Sequence, residues 1–113
     1  MINISFQKTE DKITLKVRGH AGAAKAGMDI ICAAVSILAY TLAQTSIYMY
    51  ENKKLLRKPY ISMEAGNAVI TICPSPDSYT EALHSYFIAE IGFSLLAQSY
   101  PKYVKIQSIL GQA

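Results

Sequence analysis

Two residues in this sequence could perform covalent chemistry together, Cys32 and His20. Cys32 stands in Asp29-Ile30-Ile31-Cys32-Ala33-Ala34-Val35-Ser36, within the expected first turn of a long helix. Backbone N–H groups there lack intrahelical partners, and the helix dipole favours negative charge. A thiol in such a place is a better thiolate, hence a better nucleophile. The dipole contributes on the order of 1 kcal/mol and at most about 2, against about 1.36 kcal/mol for one pKa unit. A neighbouring imidazolium would therefore help, and a base is needed to carry a proton to a leaving amine. His20, in Gly19-His20-Ala21-Gly22, falls where a strand should end. A loop over 21–28 can return the chain to the helix start and set His20 beside Cys32. By residue type alone, a solvated loop histidine and a small packing cysteine account for the pair better than catalysis does, because Cys is often buried for packing.

The neighbours have double readings. Asp29 can cap the helix, or act as a third member that orients His20 and stabilises its imidazolium. Ser36 shares a helix face with Cys32. It can meet substrate or an oxyanion, or bond back to a helix carbonyl. Gly19 joins the site as a supporting residue. Cys73 precedes Pro74 at a strand end and reads as structural, His84 as a surface or core-edge residue, and Gly66 as a turn former. The two cysteines form neither a disulfide framework nor a CxxC motif, and no ligand cluster suggests a metal or other cofactor.

Elements to position these residues follow from periodicity. Ile2, Ile4 and Phe6, then Ile13, Leu15 and Val17, alternate with polar residues around a Thr9-Glu10-Asp11-Lys12 turn. A helix is expected from Met28 or Asp29 to near Asn52, with Ile31, Val35, Leu38, Leu42 and Met49 inward. Residues 60–64 and 68–73 suggest a second hairpin. Ser75-Pro76-Asp77, or a Ser78/Glu81 capping box, opens a second helix expected to bury Leu83, Phe87, Ile91 and Leu95. It must stop before Pro101, ahead of a last strand near 103–108 with Val104 and Ile106. The order ββαββαβ predicts an α+β two-layer sandwich: a largely antiparallel five-stranded sheet with two helices on one face, in a single domain over 1–113.

The 113 residues are 51% hydrophobic and only 17% charged, below the roughly 25% charged share usual in soluble domains. Leftover apolar surface points to a homo-oligomer or a peptide groove. A net charge of +3 is too mild to imply nucleic acid by itself. The basic cluster Lys53, Lys54, Arg57 and Lys58 reads as a solvated helix C-terminus; contact with RNA or an acidic partner is the sharper alternative. The N-terminus has no signal-peptide pattern, and cysteine usage suits a reduced, cytoplasmic protein. Ile30 to Tyr50 carries no charge and is long enough to span a bilayer. Its Ser36, Thr41, Gln44, Thr45 and Ser46, with apolar residues near helical spacing, indicate a core helix instead.

The segment Gly19-His20-Ala21-Gly22 through Asp29-Ile30-Ile31-Cys32-Ala33-Ala34-Val35-Ser36 resembles the signature of the ribosomal-processing cysteine proteases. That signature is Gly-His-Ala, a Gly-rich loop, Asp-Ile-Val-Cys-Ala, and a Ser four residues past the Cys. The resemblance implies Cys32 as nucleophile and His20 as its base. It implies a homodimer that removes the N-terminal extension of a large-subunit ribosomal protein, cutting after an aromatic residue. Ala23, Ala24 and Ala26 stand where more polar or aromatic loop residues are expected. The loop over 21–28 is expected to be mobile in the free protein and to close on a bound peptide. A non-enzymatic dimeric module that binds ribosomal protein or rRNA is the alternative.

Overall fold

Strand alternation sorts the chain into an inner and an outer face. The computed structural model describes residues 1–19, 28–108 and 110, except for the side chains of Met28, Asp29 and Ser108. Strands β1 (Ile2–Lys8) and β2 (Ile13–Arg18) form the first hairpin, with Ile4 opposite Val17 and Phe6 opposite Leu15. Helix α1 runs Met28–Glu51, then β3 (Tyr60–Glu64) and β4 (Asn67–Ile72) make the second hairpin. Helix α2 (Tyr79–Ser99) and β5 (Val104–Ser108) complete the order ββαββαβ. The sheet order is β3-β4-β2-β1-β5. It is mixed, because β5 returns parallel to β1: α2 carries the chain across one sheet face, so the strand after it runs in the direction of β1.

Ile2, Ile4, Phe6, Ile13, Leu15, Val17, Ala68, Ile70, Ile72 and Val104 are buried on the helix side. From α1, Ile31, Val35, Ala39, Leu42 and Met49 cover them, with Leu38 half-buried. That helix is long and apolar enough to cross a membrane by length and composition; here its inner face is packed on the sheet. Its hydroxyls are absorbed locally: Thr41, Thr45 and Ser46 donate to the carbonyls of Ile37, Thr41 and Leu42 at 2.6–2.7 Å.

α2 departs from expectation. Its buried residues are Ala82, Tyr86, Ala89, Glu90 and Phe93. Leu83 is half-buried, and Phe87, Ile91 and Leu95 are exposed. Small residues face the neighbouring helix because the two helices pass closely: a Cβ on Gly92 would sit 3.0 Å from Leu38 Cδ2. Phe93 meets Phe6 at a centroid distance of 5.8 Å, inclined by 57°, and Tyr86 hydrogen-bonds Ser46 at 2.6 Å. Neither Ser75 nor Ser78 makes a side-chain cap. A 3-10 turn over Pro76–Ser78 leads into the helix, and Glu81 binds Lys54 at 2.6 Å instead of reaching back to Ser78.

The basic cluster lies beyond the last turn of α1, not within it. Lys54 N–H bonds Met49 C=O at 2.9 Å, Lys53 N–H bonds Tyr50 C=O at 3.1 Å, and Lys53 has φ of 61°. This is a Schellman stop with lysine in the left-handed position usually held by glycine.

Candidate active site

At its C-terminal end, β2 delivers the chain to the site through Gly19. This residue has φ of +102°, and a Cβ there would collide with the backbone oxygen of Met1. Its N–H bonds Gly66 C=O at 2.9 Å. Only glycine satisfies both the left-handed conformation and the close approach. Gly19 therefore fixes the direction in which the chain leaves the sheet immediately before His20. His20 and the loop over 21–27 lie outside the described residues, as do the loop motion and the side chain of Asp29. In the backbone, Asp29 is already helical, since α1 begins at Met28.

Cys32 is the fifth residue of α1, not a member of its first turn. Its N–H belongs to the helical ladder, with Met28 C=O as acceptor. The unpaired amides are those before it. The thiol is exposed and not in a disulfide, whereas Cys73 is free but buried. Ser36 is exposed as well. Thr41, Thr45 and Ser46 bond back to helix carbonyls, whereas Ser36 makes no such bond among the described residues and lines the groove.

Cys32 and Ser36 line a groove of about 410 Å³ between α1 and the tip of the β3–β4 hairpin. Val17, Val35, Ala39, Tyr40, Met63 and Ala68 give it apolar walls, and Gly19, Glu64 and Asn67 stand at its sheet end. Sequence reasoning missed Tyr40 and Met63. Tyr40 carried a legible signal, because Cys32, Ser36 and Tyr40 recur every four residues on one helix face. Met63 had none, since only the fold brings β3 to α1. His84 lies exposed on α2, outside this groove's lining. Among the described residues no three His, Cys, Asp or Glu side chains gather as metal ligands would. The arrangement offers a thiol, a hydroxyl and an apolar trough, suited to nucleophilic attack on an extended peptide.

The sequence profile of the cysteine protease Prp matches residues 1–105. The chain belongs to the Prp cysteine protease family. Membership makes it a peptide hydrolase and sets aside the non-enzymatic module. Solved structures share its fold. SMU.848 from Streptococcus mutans is 22% identical, with a TM-score of 0.68 over 96% of this chain and 94% of that one. The essential ribosomal processing protease Prp of Staphylococcus aureus, in complex with a substrate peptide, is 17% identical, with a TM-score of 0.69 over 96% and 100%. The same Prp with a covalently linked product peptide is 18% identical over the same shares, also at 0.69. No curated protein matches the sequence.

Proposed function

We propose that this chain is a ribosomal-protein-processing endopeptidase that cuts after an aromatic residue, with Cys32 as nucleophile and His20 as its acid–base partner. The observation that carries the reading is an exposed Cys32 at an apolar groove in a member of the Prp family. The aromatic side chain before the scissile bond fits among Val35, Ala39, Tyr40, Met63 and Ala68. The Cys32 thiolate attacks the carbonyl carbon. The developing oxyanion is stabilised by amides at the start of α1 that have no partner in the ladder. The His20 imidazolium gives its proton to the leaving amine as the C–N bond breaks, leaving a thioester on Cys32. His20 then takes a proton from water, the hydroxide attacks the thioester, and the released thiolate completes the cycle. Asp29 orients His20 or stabilises the helix start, and Ser36 contacts substrate. No metal or other cofactor enters these steps.

The enzyme is proposed to act in the cytoplasm as a homodimer, with no membrane and no nucleic acid as partner. The test is incubation with peptides spanning the N-terminal extension of the large-subunit ribosomal protein, with mass spectrometry of the products. A single cut after an aromatic residue is expected. Intact peptides, or cuts indifferent to the aromatic residue, would defeat the reading.

A further inference from the structure

We propose that the substrate backbone binds by strand addition to the outer edge of β3, which no strand among the described residues pairs, with Ile61 and Met63 supplying the peptide-facing N–H and C=O groups; this rests on the protease reading above.

Hydrogen-bond parity across the sheet gives the register. Gly19 N–H bonds Gly66 C=O, in the same β2–β4 register that places Val17 opposite Ala68 and Leu15 opposite Ile70. Backbone groups along a strand point alternately to its two sides. Residues 66, 68, 70 and 72 therefore turn their N–H and C=O groups toward β2, and 67, 69 and 71 turn theirs toward β3. Their partners on β3 are Glu64, Ser62 and Tyr60. Ile61 and Met63 are left with both backbone groups directed away from β4, at the outermost position of the sheet order.

Three further observations favour an extended peptide on that edge. First, Met63, Glu64 and Ala65 line the same groove as Cys32, Ser36 and Tyr40, so a strand added to β3 borders the groove that holds the thiol. Second, no proline or bulge interrupts Tyr60–Glu64, and its one charge, Glu64, sits at the strand end and not at Ile61 or Met63. The usual devices that keep an edge from pairing are therefore absent from the two positions that offer their backbone. Third, the Ile61 and Met63 side chains pack inward against the core. A strand added in phase with them sends alternate side chains toward the apolar trough and the others to solvent.

The experiment uses a fluorescein-labelled peptide with Phe-Ala at its centre, bound to the Cys32→Ala protein and followed by anisotropy. N-methyl groups are placed on the peptide at one position after another. Methylation at alternate positions should weaken binding about three- to ten-fold, the loss of one net hydrogen bond, while the intervening positions tolerate it. On the protein, Met63→Pro removes an edge donor without touching the β4 ladder. Because it also removes a side chain that lines the groove, its control is Met63→Ala, which keeps the N–H. Met63→Pro should bind the peptide about three- to ten-fold more weakly than Met63→Ala, with the far-ultraviolet circular dichroism of both retained. Uniform tolerance of N-methyl groups overturns strand addition and leaves the protease reading standing. Absence of both peptide binding and wild-type cleavage overturns the two together. A second copy of the chain is the rival occupant of this edge. Met63→Pro that changes the protein's mass in solution but not its peptide affinity would also overturn the proposal.

Discussion

Cys32 and Cys73 are chemically identical side chains in opposite surroundings, one exposed on the wall of a groove and one buried at a strand end. A nucleophile needs access, so Cys32→Ala should abolish peptide cleavage and Cys73→Ala should leave most of it. Iodoacetamide should label the folded protein at Cys32 far faster than at Cys73. Full cleavage by purified Cys32→Ala would remove the assignment. His20 is tested through its effect on Cys32. If an imidazolium supports the thiolate, His20→Ala should slow single-turnover acylation by roughly the 10²- to 10⁴-fold typical of acid–base partners. It should also alter the pH profile of Cys32 alkylation. Identical profiles with and without His20 would show that the two residues do not act as a pair. Cys32 was legible in sequence as the candidate nucleophile because residue type and motif coincide there, whereas its place one turn into α1 was not. The role of Gly19 was not: its positive φ and the approach of Met1 come from a neighbouring strand, which local sequence does not display.

Between the two helices, a buried hydroxyl pair joins α1 to α2. Ser46 Oγ donates to Leu42 C=O at 2.7 Å, and Tyr86 Oη lies 2.6 Å from Ser46 Oγ. The two ends of this pair are unequal. Tyr86→Phe loses one hydrogen bond but leaves Ser46 with its helix carbonyl, a cost of about 0.5–1.5 kcal/mol. Ser46→Ala strands the tyrosine hydroxyl in the core and should cost about 1–3 kcal/mol. Urea unfolding of the two variants checks the order, and a larger loss for Tyr86→Phe would contradict it. Burial also raises the Tyr86 pKa well above its ordinary 10.0, an effect partly offset by the Ser46 hydrogen bond. The fold therefore favours the neutral phenol. This contribution to stability is complete below pH 10 and is lost as pH climbs through the raised value. Tyr86→Phe should accordingly lose less stability than the wild type when pH is taken above about 10. The helices also show where periodicity misleads. α1 has polar residues enough on its outer face for Ile31, Val35, Leu42 and Met49 to be picked out. α2 is apolar almost all round, so its large residues Phe87, Ile91 and Leu95 suggested the core. The structure buries Ala82, Tyr86, Ala89, Glu90 and Phe93 instead, and brings α1 close at Gly92. The parallel pairing of β5 likewise depends on where α2 sets the chain down, not on residues 104–108.

At the scale of the whole molecule, that same face of α2 has a consequence for assembly. Phe87, Ile88, Ile91 and Leu95 recur at helical spacing and are 36%, 70%, 46% and 57% exposed. A stripe of this kind on an isolated subunit leaves apolar surface in water at roughly 25 cal/mol per Å², and contiguous apolar patches mark association sites more often than single exposed residues do. The low charged share of the sequence fits a chain whose surface is partly covered by a copy of itself. We therefore expect a dimer in solution with the α2 stripe at its interface. Ile88 and Ile91 make no contribution to the buried core, so Ile88→Asp combined with Ile91→Asp should leave the fold intact while placing charges where the interface needs apolar contact. Sedimentation at micromolar concentration should give twice the chain mass for the wild type and the single-chain mass for the double variant, with unchanged far-ultraviolet circular dichroism. Since Cys32 and its groove lie on α1 and the β3–β4 tip, the double variant should still be alkylated at Cys32. A wild-type monomer, or a dimer indifferent to both aspartates, would rule this interface out.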